Sequence, residues 1–189
     1  LHINKQQSGL VQFANYLGYF LMAVPAGLIA RKFGYKGGIL VGLVLIASGA
    51  FWLIHAVGIG TYSAFLLGLF VIAAGMTCLE TIANPYITKL GDPETATQRL
   101  NFAQSFNGVG AFLAPLIGGK FILTGIEHSP ETLKAMEQSG TLQAYLQEEA
   151  NAVRIPYLVI GVVVFILVAL FLVVKLPEGE ETPSAASSA

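Results

Sequence analysis

Five stretches of about 20 residues or more, at 8–30, 38–57, 62–88, 100–123 and 156–176, run almost without charge. A hydrocarbon layer about 30 Å thick asks for this length of apolar helix at a rise of about 1.5 Å per residue. Of the 189 residues 54% are hydrophobic and 11% charged, against roughly a quarter charged in soluble domains, so the solvent these stretches suit is lipid. Only helices and closed barrels satisfy every backbone polar group there. A barrel needs alternating strands of about ten residues, and the sequence has no such pattern. It predicts an all-α, polytopic transmembrane helix bundle.

The connections are RKFGYKG, HAVGIGT, KLGDPETATQR, a long polar segment ending near Arg154, and a tail PEGEETPSAASSA that is acidic, then small and polar. The tail reads as a disordered linker. Within the long segment, TLKAMEQSG and TLQAYLQEEA are short amphipathic patterns that predict one or two helices lying at a membrane surface. Arg31, Lys32, Lys36, Lys89, Arg99 and Lys175 fall on one side of the spans; Lys5, Lys120, Lys134 and Arg154 fall on the other. The first group crowds short loops and span ends, which places that side in the cytoplasm. A net charge of -1 with no large basic cluster gives no case for nucleic acid. Two small-residue patterns, Gly38/Gly42 and Gly110/Ala114/Gly118, are spaced for close helix packing in lipid.

Between residues 1 and 91 Glu80 is the only Asp or Glu. It lies roughly 12 Å from the cytoplasmic end of its span, inside the hydrocarbon zone. A charged, unpaired carboxylate there costs several kcal/mol. Glu80 therefore faces protein or a water-filled cavity, where a carboxyl group is suited to hold a proton near neutral pH.

At about 100° per residue, Thr77, Glu80 and Asn84 share one stripe, with Pro85 beside it. Pro85 frees a carbonyl near Thr81 and predicts a bend beside the polar pair. The next span carries Asn101, Gln104 and Asn107 on one broad face; the first carries Gln12, Asn15, Tyr16 and Tyr19. Amides and phenols hydrogen-bond without net charge, which suits a neutral polyhydroxylated ligand. The alternative, polar glue between helices, is worth about 1 kcal/mol per contact.

Cys78 is the one cysteine and reads as a small packing residue. His2 and His128 sit in loops and His55 at a span end, so no metal site is expected. No cofactor is implied, because the sequence contains no Gly-rich phosphate loop and no nucleophile with a neighbouring base. This argues against a membrane-embedded enzyme. A structural membrane subunit, with Glu80 paired to a basic residue of a partner, remains as the other alternative.

Three segments, GLVQFANYLGYFLMAVPAGLIARKFGYKGGILVGL, CLETIANPYITKLG and QRLNFAQSFNGVGAFLAP, closely resemble the N-terminal half of the L-fucose:proton symporter family of the major facilitator superfamily, which includes glucose/galactose transporters. The resemblance implies that residues 1–176 are an incomplete six-helix half, holding helices two to six, and that 177–189 enter the cytoplasmic linker between halves. It implies proton-coupled hexose symport across the inner membrane by alternating access, with helix one and the C-terminal half of the carrier as partners of this chain. Glu80 matches the family's membrane carboxylate for proton coupling and sugar recognition; Gln104 and Asn107 match amides lining its sugar cavity. Asn84, Asn101, Gln12, Asn15 and Tyr19 are further candidates by helical spacing. In the loop GLIARKFGYK, Arg31 stands where the superfamily commonly has Asp, so that family ion pair is not carried over.

Overall fold

The computed structural model describes residues 5–121 and 130–177, and its regular elements are all helical. The first two predicted spans form helix α1 (Lys5–Ile59), which breaks from helical geometry at Gly34 (φ 70°, ψ 178°). A positive φ of this kind is open to glycine at little cost, so the expected RKFGYKG loop contracts to a single non-helical residue. Gly18 precedes that break and Gly49 follows it at a similar distance, and both lie against α2 between Gly68 and Ala74. The two arms, residues 5–33 and 35–59, therefore fold back on one another.

Helix α2 (Tyr62–Lys89) runs unbroken through Pro85. A short 3-10 turn (Pro93–Thr95) leads into α3 (Ala96–Phe121), followed by α4 (Pro130–Gln138) and α5 (Leu142–Val173). TLQAYLQEEA corrects one expectation. Rather than lying flat on the membrane, it is the leading part of α5, continuous with the last span. At 32 residues α5 is about 48 Å long, more than a hydrocarbon layer needs; its apolar part is Arg154–Val173. Among the described residues α1, α2 and that part of α5 are long and apolar enough to cross a membrane. Helix α3 has the length but not the apolarity, because Gln98, Arg99, Asn101, Gln104 and Asn107 crowd its first half.

The seam between residues 35–59 and α2 is made of backbone. A Cβ on Gly75 would stand 2.8 Å from the Gly42 carbonyl oxygen, and one on Gly49 would stand 3.1 Å from that of Gly68. Gly42 and Gly49 thus face Gly75 and Gly68 in antiparallel order, seven residues apart on each helix. Gly38 presses on Ile82, so the Gly38/Gly42 expectation holds. Gly110 does not follow it: nothing lies within 4 Å of a Cβ there.

Burial follows this seam. Ala26, Ala50, Leu53, Ala73, Cys78 and Ile82 are buried, whereas Phe20, Val24, Phe112 and Val173 are exposed. Lipid provides no hydrophobic drive between helices, so the interior pairs small residues that permit close approach with Leu53 and Ile82, which fill the space beside them. Cys78, fully buried and 3.6 Å from the Gly38 carbonyl oxygen, packs as the sequence predicts.

One end of the bundle is tied across helices. Lys36 Nζ donates to the carbonyl oxygens of Leu172 (3.2 Å) and Val174 (2.7 Å), at the end of α5. A cation suits the unsatisfied carbonyls and negative dipole end found there. The Tyr86 hydroxyl donates to the Pro177 carbonyl (2.8 Å), its ring stacks on Tyr35 (5.2 Å), and Lys89 lies over Tyr35 (5.0 Å). Lys36, Lys89 and Arg99 all lie at this basic end.

Gly75→Val should force the seam apart and cost about 1–3 kcal/mol. Gly110→Val, with open space to receive it, should stay within about 0.5 kcal/mol of the parent. Thermal unfolding of both variants in detergent checks the contrast.

Candidate substrate site

Helix α2 presents different residues on opposite sides. Relative to Gly75 on the seam, Glu80 is turned by about 140° and Asn84 by about 180°. The arm 5–33 covers this second side higher up, where Gly18 meets Ala73. Thr77 falls under that cover: it is buried and its hydroxyl donates to the Ala73 carbonyl in its own helix (2.9 Å). The expected stripe is thus shortened, since Thr77 spends its hydroxyl locally, as helical Thr does. Glu80, one turn lower, is exposed, and Asn84 is half-buried.

Two hydrogen-bonded groups stand on this open side. The Tyr19 hydroxyl donates to Glu80 Oε1 at 3.4 Å, joining the arm 5–33 to α2. Gln104 Nε2 donates to Asn84 Oδ1 at 3.0 Å, and Asn107 Nδ2 donates to Gln104 Oε1 at 2.8 Å, joining α3 to α2. Three helices therefore contribute to one polar surface.

The amide chain has a direction. With the amides oriented by this network, the Asn84 NH2 group remains available to donate and the Asn107 carbonyl oxygen to accept. A hydroxyl both donates and accepts, so either end of the chain can bind one. Glu80 keeps Oε2 for another partner while Tyr19 holds Oε1.

Five predicted residues, Glu80, Tyr19, Asn84, Gln104 and Asn107, take part in these bonds. Gln12, Asn15 and Asn101 are exposed and do not join them. Tyr16 is 70% exposed, whereas Tyr19 is half-buried; spacing alone does not separate the two phenols, because both lie on the same broad face. His55 is exposed, and among the described residues no group of three or more His, Cys, Asp or Glu could hold a metal ion. His2 and His128 lie outside the described residues.

A sequence profile of the Major Facilitator Superfamily matches residues 1–189. The chain belongs to the major facilitator superfamily. The L-fucose-proton symporter of Escherichia coli (strain K12) is 42% identical over 173 residues, covering 90% of this chain and 39% of that protein. The glucose/galactose transporter of Brucella abortus biovar 1 is 38% identical over 185 residues, covering 98% of this chain and 41% of that protein. A crystal structure of FucP, a superfamily transporter in the outward conformation, superposes with a TM-score of 0.79 at 41% identity, covering 92% of this chain and 42% of that one. A structure of a variant of the E. coli fucose:proton symporter gives 0.80 at 40% identity.

The chain thus spans about two fifths of the length of these relatives. As a superfamily member with long apolar helices, it is a multi-pass protein of the bacterial inner membrane. These relatives are named as transporters or symporters rather than enzymes.

The α2–α3 amide bond is measurable. A double-mutant cycle on Asn84→Ala and Gln104→Ala should return a coupling near 0.6 kcal/mol, the mean for hydrogen bonds between membrane helices. Ligand-free unfolding in detergent reads it.

Proposed function

We propose that this chain is part of a proton-coupled hexose symporter, with a sugar of the fucose or glucose/galactose type as cargo. The observation that carries the reading is the polar surface itself: one carboxyl, one phenol and three amides from three helices, on the open side of a bundle otherwise apolar. The similar proteins named as L-fucose-proton symporter and glucose/galactose transporter support the cargo class.

Residues 1–176 are read as five helices of one six-helix half, and 177–189 as the start of the linker to the other. The two halves rock about a site near the membrane midplane, exposing it to one side and then the other. Gln104, Asn107 and Asn84 hold sugar hydroxyls through the free ends of their amide chain. Asn101, Gln12 and Asn15 are left as secondary candidates for contacts made when the rest of the carrier is in place.

Glu80 takes and releases the proton. Ionised, it accepts hydrogen bonds from Tyr19 and from a sugar hydroxyl; protonated, it donates one and carries no charge. Neutralisation removes the penalty of carrying a carboxylate through a closed, dehydrated state. Proton and sugar are therefore coupled through one group that both contact.

Glu80→Gln keeps the shape but cannot titrate. In proteoliposomes containing the whole carrier, the variant should exchange labelled sugar across the membrane yet fail to accumulate it against a gradient when a proton gradient is imposed. Intact uphill accumulation would remove Glu80 from the coupling step.

A further inference from the structure

At the end of α2 the Leu90 N–H closes onto the Ile87 carbonyl (3.3 Å), and one side chain from the next helix takes that carbonyl together with others that follow it. Arg99, in the first turn of α3, donates from Nε to the Ile87 carbonyl (3.3 Å) and from Nη2 to the Thr88 carbonyl (3.1 Å). Its Nη1 donates to the Asp92 carbonyl (2.9 Å) and to Thr95 Oγ1. A guanidinium offers five donors in a fixed plane, and four are used here. Gly91, at φ 83°, turns the chain beneath the guanidinium. The Asp92 carboxylate is engaged elsewhere, accepting from the Glu94 N–H (3.0 Å).

One step further along the same two helices is the Asn84–Gln104 bond. Ile87 lies three residues after Asn84 on α2, and Gln104 five residues after Arg99 on antiparallel α3. The two contacts are successive rungs of one seam. Beyond them, among the described residues, a Cβ on Gly108 or Gly110 would touch nothing within 4 Å. The glycine interdigitation that fixes α1 against α2 has no counterpart at these positions, and α2 and α3 are tied by the hydrogen bonds of Arg99 and Gln104.

We propose that Arg99 is a positioning residue for the sugar site: by gripping the last carbonyls of α2 it sets the register of α3, and so brings Gln104 and Asn107 to the same surface as Glu80. The inference rests on reading that surface as the sugar site. Arg99 touches no cargo and acts through Gln104 and Asn107.

The test uses the whole carrier in proteoliposomes, with Arg99→Ala, Arg99→Lys, Gln104→Ala and the Arg99→Ala/Gln104→Ala pair. Spin labels at Leu67 on α2 and Phe112 on α3, both exposed, report the separation of the two helices in a Cys78→Ala background. Arg99→Ala should raise the sugar KM about tenfold, with the maximal rate and its pH profile little changed. The pair should fall well short of the product of the two single effects, because Arg99 acts in part through Gln104. The label distance should shift or broaden in Arg99→Ala, and Arg99→Lys should recover only part of both effects, since an ammonium cannot span three carbonyls.

An unchanged label distance in Arg99→Ala overturns the proposal, whatever the transport result. So does a shifted distance with unchanged KM, or effects that multiply in the pair. If Gln104→Ala leaves KM unchanged, the sugar-site reading fails by itself, and the label distance still decides whether Arg99 positions α3.

Discussion

The close approach of residues 35–59 to α2 is the contact on which the other helices depend. Between helices in lipid the apolar surface gains nothing by leaving solvent, and stability comes from dispersion across short distances. Glycine at 42, 49, 68 and 75 removes the side chains that would hold the backbones apart. The resulting pair is a plate to which each other element attaches by its own means. The arm 5–33 meets it at Gly18, α5 at Gly161 against Phe51 and through Lys36, and α3 through Arg99 and Gln104.

That plate decides where polar groups can stand. Because Gly68 and Gly75 turn one side of α2 into the seam, Glu80 and Asn84 are carried to the opposite side, away from close packing. A carboxyl in the seam would have no room and no water. On the far side the first arm covers only the level of Thr77, which closes its own hydroxyl onto a carbonyl. Glu80 and Asn84, just below, remain accessible to a hydroxyl group, and Tyr19 of that arm reaches down to Glu80. The position of the carboxyl follows from which side the glycines occupy.

The span pattern was legible because it depends on composition over some 20 residues, and Glu80 was legible because a carboxylate is rare in such a stretch. The pairing of Gln104 with Asn84 and of Tyr19 with Glu80 depends on the relative height of three helices, which no single-helix periodicity contains. The same reason explains the misplaced features. Thr77 fits the polar stripe by angle but lies under another helix, and Gly110 has the packing spacing but, among the described residues, nothing within 4 Å of a Cβ there. TLQAYLQEEA carries an amphipathic pattern, yet it is continuous with the last span, and α5 carries on through Pro156 as one helix. Arg99 was visible only as one positive charge among several at the basic end; its grip on three carbonyls needs the loop geometry that Gly91 creates.

The basic end differs from the rest of the bundle in how its helices are joined. There, Lys36 takes the last carbonyls of α5, Tyr86 the Pro177 carbonyl just beyond it, and Arg99 the Ile87 and Thr88 carbonyls of α2. Close packing along the glycine seam resists separation, and a hydrogen bond to a fixed carbonyl adds a directional tie at the helix ends. Ties of the second kind fix α5 to the start of the second arm and α3 to the end of α2. Under the proposed symporter reading, such ties would keep the helices of one half in register while its orientation changes. The amides of α3 and the carboxyl of α2 would then meet a sugar as one surface, because the seam and the basic end together hold them in place.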